Sequence, residues 1–382
     1  MARLRNDTAE IASLLNETEC DPLTRAESLS TRTLMTLGFS FLLFFALVGN
    51  SLVIVVFCKR KDQLCTPVNY FIINMAVSDL FIPIFVIPRR IQEVYLGWSP
   101  WLLGGGVGDF LCRLLNFTDE VSITVSSQSL VFIAAERAWS IAYPMKPPLI
   151  SKKTAPRFIC FTWVFSSIFF SYYFVAHRLV HNGSQLICRY GIPELFNTWK
   201  DLWRVDRMVF LAVFVVFPFI FLTGFYAMIV VTLFRQEKNS THLSSDVQKK
   251  RTNENKRVTL MLVIVVVLFF LSWMPYYIYV FLRYYLHGSS WSCSSIQNWY
   301  LGSIYLNYAY TAINPIIYYT FNRTFRKGME ALLFYSCRHC HRPARVAALE
   351  TDSTKQPTVN SEGDRSQQPK TECFVLAEIN LT

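Results

Sequence analysis

The sequence predicts an all-α membrane protein, a seven-transmembrane helix bundle with a short amphipathic eighth helix. Hydrophobic residues make up 52% of its 382 positions and charged residues only 16%, where soluble domains carry about 25% charged. The apolar residues fall in blocks, and a hydrocarbon core about 30 Å thick needs roughly 20 of them in one helix. Between the blocks, Lys and Arg concentrate in alternate loops, the asymmetry that sets membrane orientation. This pattern excludes a disordered chain, a collagen-like repeat and a small disulfide scaffold. A length that would suit two or three soluble domains is taken up by one membrane domain.

In order along the chain, residues 1–33 read as an extracellular N-terminal segment. The first apolar block, Leu34 to Cys58, carries no charge, and the second, Val68 to Pro88, carries one acid, Asp79. The third, from about Phe110 to Tyr143, is weaker. Only Val121 to Ala135 within it is uncharged, and that stretch is rich in Ser and Thr. Such polarity suits a helix enclosed by the others rather than one facing lipid. Phe158 to Ala176, Met208 to Phe234, Val258 to Leu282 and Ile296 to Asn322 are again free of charge and complete the bundle over residues 34–321. Helices are the expected spanning structure because lipid offers no water to pair backbone groups. Pro218, Pro275 and Pro315 each remove a backbone hydrogen bond inside a helix and mark kinks. Residues 322–336 alternate Phe325, Leu332 and Phe334 with Arg323, Arg326 and Lys327, the pattern of a helix lying in the interface. Residues 337–382 read as a polar, disordered cytoplasmic tail.

The basic loops fix the expected orientation. Lys59, Arg60 and Lys61 follow the first helix, Lys146, Lys152, Lys153 and Arg157 the third, and Arg235, Lys238, Lys249, Lys250, Arg251, Lys256 and Arg257 the fifth. These loops are placed in the cytoplasm, which puts the N-terminus outside, at the plasma membrane. No signal peptide is visible, so the first helix is expected to insert as its own signal. Asn6, Asn16 and Asn182 then head glycosylation sequons on the outer side. The net charge of +11 is read as this topology signal and not as a nucleic-acid footprint.

The 10 cysteines divide by compartment. Cys20, Cys112, Cys188 and Cys293 face the oxidising side, where four cysteines allow three pairings that the sequence does not choose between. A Cys112–Cys188 bridge would pin the loop after the fourth helix over the bundle, and Cys20–Cys293 would tie the N-terminal segment to the last outer loop. The remaining cysteines are expected to be free thiols or acylated. Cys337 and Cys340, just after the amphipathic helix, are expected to carry palmitoyl groups; Cys337 to His341 is too compact a run to wrap four ligands round zinc.

The helices also carry an ordered set of landmarks. Gly49-Asn50 lies on the first, Asn74 to Asp79 on the second, Trp101 to Gly104 and then Cys112 before the third, and Glu136-Arg137 twenty-five residues past Cys112 at its far end. Trp163 lies on the fourth, Pro218 and Tyr226 on the fifth, Phe269 with Ser272-Trp273-Met274-Pro275 on the sixth, and Asn314-Pro315-Ile316-Ile317-Tyr318 on the seventh. Each motif alone is weak. Together, at these spacings from about Phe39 to Tyr335, they resemble the rhodopsin-like class of G-protein-coupled receptors. The text of Val121 to Ser126 and Tyr143-Pro144-Met145 resembles neuropeptide receptors of the neuropeptide Y, neuropeptide FF and tachykinin-like group. Ala138 and Ser272 depart from the class motifs. Asn255 stands where some relatives carry an acid that pairs with the arginine of the third helix.

The resemblance implies roles for particular residues. Asp79, Ser126 and Asn314 match a sodium pocket in the bundle core, the only cofactor expected, with Tyr310 as an alteration to it. Glu136, Arg137, Tyr226, Pro275, Asn314, Pro315 and Tyr318 match the machinery that opens the inner face to a heterotrimeric G protein. Asp119 and Tyr308 match facing positions in the outer pocket, with Tyr276, Tyr277, Phe210 and Trp273 packed beneath. The implied ligand is a small, basic, amidated peptide whose cation meets Asp119. A biogenic amine held by Asp119 and Tyr308 is the alternative, although Phe210, Leu211 and Phe214 offer no hydroxyl to a catechol. Arrestin and a receptor kinase are expected at the tail, and membrane lipid round the bundle. A transporter would show internal repeats and paired broken helices, and an intramembrane enzyme a paired nucleophile and base; the sequence has neither.

Overall fold

The computed structural model describes residues 29–96, 101–182, 185–190, 199–239, 246–284 and 293–340. Within them the chain forms α1 (Leu29–Lys59), α2 (Pro67–Tyr95), α3 (Gly105–Ala142), α4 (Ala155–Ala176), α5 (residues 199–239), α6 (Asp246–Tyr284), α7 (Cys293–Phe321) and α8 (Arg323–Cys340). A two-stranded hairpin, β1 (His177–Asn182) and β2 (Gln185–Tyr190), follows α4. Asn6, Asn16 and Cys20 lie outside the described residues, as do the side chains of Asn182, Asn255, Cys293, Cys337 and Cys340.

Five of the helices, α1, α2, α4, α5 and α6, are long and apolar enough to cross a membrane by length and composition. The third, expected to be the weakest of the seven because of its polarity, is not among them, and neither is the seventh, which was expected to be one more apolar block. Its Asn307, Tyr308, Tyr310, Thr311 and Asn314 are buried toward the bundle, so their polarity lowers its hydropathy without exposing polar groups to lipid. Conversely Phe41, Phe44, Phe161, Phe217, Ile220 and Leu271 stand exposed on outer helix faces, as lipid contact requires.

The core polar residues act as ties between helices, where close packing and interhelical hydrogen bonds take the place of hydrophobic burial. Asn50 donates to Ala46 O at 2.9 Å and to Thr311 O at 3.0 Å, joining α1 to α7. Asn74 donates to Ser129 Oγ at 2.9 Å and accepts from Trp163 Nε1 at 2.8 Å, joining α2, α3 and α4. Gly49 lets α1 approach the kink of α7: a Cβ there would sit 2.8 Å from Pro315 Cγ. α2 and α5 each contain a π-helical turn, Ile82–Val86 with Pro83 inside it and Leu211–Val216 just before Pro218, which absorbs the bond the proline cannot make.

At the outer end, Cys112 and Cys188 are joined in a disulfide with Cα atoms 5.7 Å apart. The hairpin is thereby fixed across the top of α3, with Leu179 opposite Cys188 in antiparallel register. Asp109 Oδ1 accepts from Leu179 N at 2.9 Å and Leu186 O accepts from Trp101 N at 2.7 Å, so both strands are tied down. Among the other described cysteines Cys58 and Cys160 are free. Cys65, expected to be free, is joined in a disulfide; redox compartment alone does not say which sulfurs a fold brings together.

Candidate functional site

Beneath the hairpin, side chains of α2, α3, α5, α6 and α7 come together above an aromatic floor. Phe210 lies 6.2 Å from Trp273 and is stacked 6.0 Å from Tyr277. Trp273 and Tyr277 are 6.2 Å apart, and Tyr276 packs edge-on to Tyr277 at 5.4 Å. The four expected floor residues are therefore together, because positions one turn apart on α6 face the turn of α5 that carries Phe210.

The charged residues form two groups on opposite walls. On the α2–α7 side, Arg90 Nη1 lies 2.8 Å from Glu93 Oε2, and Arg89 Nε 2.9 Å from Glu93 Oε1. Arg90 Nε donates to the Tyr308 hydroxyl at 3.0 Å, and that hydroxyl donates to Asp119 Oδ2 at 3.2 Å. Arg90 Nη2 is itself 3.8 Å from Asp119. Asp119 and Tyr308 thus meet as expected, but the carboxylate also faces Arg90.

On the α3–α5 side, a network appears that the sequence reading did not assemble. Arg207 Nη1 donates to Glu120 Oε1 at 2.7 Å, and its Nε to Asp206 Oδ2 at 2.9 Å. Tyr173 of α4 donates to Glu120 Oε1 at 3.2 Å and accepts from Arg207 Nη2, while Tyr172 donates to Asp206 Oδ1. Arg207 also reaches the Tyr276 hydroxyl. His177, at the start of β1, caps the group with its ring 4.7 Å from that of Tyr173. Burial pushes its imidazole down to about 3, and Arg89 and Arg207 add to the effect, so it is neutral at physiological pH.

Deeper in the bundle, Asp79 accepts from Ser126 Oγ at 2.8 Å and from Asn314 Nδ2 at 2.8 Å. Ser126 Oγ lies 2.8 Å from Ser78 Oγ. A small cavity above the carboxylate is lined by Ser122, Trp273, Asn307 and Tyr310 among others. Asn314 Oδ1 and the Tyr310 hydroxyl are buried beside one another, and among the described residues no Lys or Arg pairs with Asp79. An uncompensated carboxylate beside buried side-chain oxygens fits a small hard cation, which takes oxygen ligands.

At the inner end, Glu136 and Arg137 are neighbours but do not pair. Glu136 accepts from Ser140 Oγ at 2.9 Å and from Ile150 N at 2.7 Å, which anchors the loop between α3 and α4. Adjacent helical positions point about 100° apart, so the carboxylate turns to the loop and the guanidinium to the bundle. Arg137 Nε and the Tyr226 hydroxyl are buried without partners, and no ion pair to Arg137 occurs among the described residues. Tyr318 is buried, its hydroxyl 3.9 Å from Met75 Sδ. Arg257 Nη2 donates to Thr320 O at 2.8 Å, a link between the inner ends of α6 and α7. Pro275 and Pro315 lie inside their helices as expected, and Trp299 of α7 donates to Pro275 O at 2.8 Å across the kink.

Residues 49–318 match the family model described as 7 transmembrane receptor, rhodopsin family. Among characterised proteins, the mouse neuropeptide FF receptor 2 is 27% identical over 86% of this chain and 79% of its own length. The mouse thyrotropin-releasing hormone receptor is 28% identical over 90% of this chain and 88% of its own. The zebrafish galanin receptor 2b is 25% identical over 88% of this chain and 86% of its own.

Proposed function

Because the chain belongs to the rhodopsin family of seven-transmembrane receptors, we propose that it binds a small, basic, amidated neuropeptide on its outer face and activates heterotrimeric G proteins by outward movement of α6 on its inner face. It is a multi-pass membrane receptor and not an enzyme. Its similarity to neuropeptide FF and thyrotropin-releasing hormone receptors, both peptide receptors, supports the ligand class. The observation that supports the reading is the outer cluster of ions and phenols, covered by a disulfide-held hairpin. A peptide has enough polar groups to meet both charged walls. A biogenic amine needs an open carboxylate at Asp119, which here already accepts from Tyr308 and faces Arg90.

The inner machinery supports the second half. Proline kinks at Pro275 and Pro315 give α6 and α7 two available geometries, and a ligand that prefers one shifts the population. Asp79, Ser126 and Asn314 would hold a sodium ion, which would balance the charge of the Asp79 carboxylate. Placement in the plasma membrane with the N-terminus outside follows from the basic inner loops. Arrestin and receptor kinase act on the tail, and palmitoyl groups on Cys337 and Cys340 attach α8 to lipid.

Expression of the chain in cells, with amidated peptides and amines applied in parallel and calcium and cyclic AMP read out, tests the reading. Responses to basic amidated peptides are expected; responses confined to amines would overturn it. For the cation pocket, thermal unfolding in sodium chloride against choline chloride should show stabilisation by sodium that Asp79→Asn abolishes. A sodium effect that survives Asp79→Asn would remove the ion from this site.

A further inference from the structure

Both outer walls carry acids, but their charge balance differs. On the α2–α7 wall, Arg89 and Arg90 stand against Glu93 and Asp119, two cations for two anions. On the α3–α5 wall, Glu120 and Asp206 share the single guanidinium of Arg207. Their side chains are only 12%, 7% and 10% exposed. His177, also at that wall, is neutral. Among the described residues the wall therefore holds one carboxylate in excess, in a place where water is scarce and an unbalanced charge is costly.

Buried polar atoms without partners lie at both walls, Asp119 Oδ1 at the first and two at the second. Tyr277 is 3% exposed and its hydroxyl has no partner, and His177 is 8% exposed with Nδ1 unpartnered. Glu120 Oε2 accepts no hydrogen bond among the described residues, both contacts to Glu120 being made at Oε1. Tyr277 is linked electrostatically to Arg207, Glu120 and Asp206, and Tyr173 carries His177 on one side and Glu120 on the other. The aromatic walls accept a flat cation: the Arg207 guanidinium already lies 5.5 Å over the Phe210 ring, and the stacked Phe210 and Tyr277 continue that surface.

We infer that the cationic group of the ligand, an ammonium or guanidinium, is seated on the α3–α5 wall by Glu120 and Asp206, with Tyr277 and His177 as further acceptors, and not by Asp119. The excess carboxylate supplies the charge. A guanidinium brings five N–H donors to a wall whose free groups are acceptors. Asp119 is then a positioning residue that holds Tyr308 and Arg90. This deepens the peptide-receptor reading by naming the group recognised, and its test needs neither a peptide nor a G protein, so the two can fail separately.

The purified full chain in lipid nanodiscs is titrated with N-acetyl-arginine amide and, as the uncharged counterpart, N-acetyl-citrulline amide, with thermal unfolding as the readout. Arginine amide should stabilise the receptor and citrulline amide should not. Glu120→Gln should weaken the arginine effect about tenfold, as expected for loss of a close charge pair, and Asp119→Asn should leave it within about twofold. If Glu120→Gln does not reach the membrane, Tyr277→Phe keeps every ion pair and should still weaken the effect. Absence of stabilisation by arginine amide, equal stabilisation by citrulline amide, or loss of the effect in Asp119→Asn with retention in Glu120→Gln or Tyr277→Phe would each overturn the assignment.

Discussion

Replacing Arg137 with Ala is expected to abolish G-protein activation while ligand binding at the outer cluster persists. Arg137 has a buried nitrogen with no partner at the inner end of α3: Nε makes no hydrogen bond among the described residues, and Glu136 is committed to Ser140 and Ile150. Hydrogen bonds from a charged donor are worth about 1.5–3 kcal/mol each, and every 1.4 kcal/mol is about tenfold in affinity. Loss of two such bonds to a G-protein helix takes coupling below detection in a nucleotide-exchange assay. Binding of the outer ligand should change little, because the outer cluster lies at the other end of α3. The same unpaired arginine implies measurable activity without ligand. Asn255→Glu, which places an acid on α6 at the position where some relatives pair it, should lower that basal exchange. Unchanged coupling in Arg137→Ala would remove the residue from the activation machinery.

Arg207→Ala should be the most destabilising single change in the outer half. It strips two buried carboxylates, Glu120 and Asp206, of the cation that pairs with both among the described residues and leaves Tyr173 without its donor. Breaking one partner out of a buried ion pair typically costs about 3–5 kcal/mol. Lower surface expression and a lower unfolding temperature are expected, and Arg207→Lys should restore them only in part, because an ammonium cannot reach two carboxylates with a planar fork. Removing the charges together separates this from simple loss of packing. Arg207→Ala combined with Glu120→Gln and Asp206→Asn should be more stable than Arg207→Ala alone. Equal stability of the single and triple variants would show that the network contributes by shape and not by charge.

How much of this could be read from the chain depends on how each contact is encoded. Asp79, Ser126 and Asn314 lie at fixed places in helix motifs, and the structure sets both hydrogen bonds to Asp79 from those two partners. The aromatic floor was legible for the same reason. The Arg207 network was not, since its members come from three separate helices, α3, α4 and α5, with His177 from the hairpin. The available signal was the density of charge just inside the membrane edge: Asp119 and Glu120 adjoin a helix core, and Asp206-Arg207 immediately precede Met208. Glu136 and Arg137 are adjacent in the sequence, and helix geometry turns one to the loop and the other to the bundle. The seventh helix looked apolar by the absence of charge, yet its tyrosines and asparagines are buried toward the bundle and line the Asp79 cavity.

All of these roles require the hairpin and the Arg137 end of α3 to lie on opposite sides of the membrane. Epitope tags inserted between Asn182 and Gln185, and beside Met145, which is 95% exposed in the loop after α3, test this on intact and permeabilised cells. Antibody should reach the hairpin tag on intact cells and the Met145 tag only after permeabilisation. Equal access to both tags on intact cells would contradict the seven-crossing receptor and every assignment built on it.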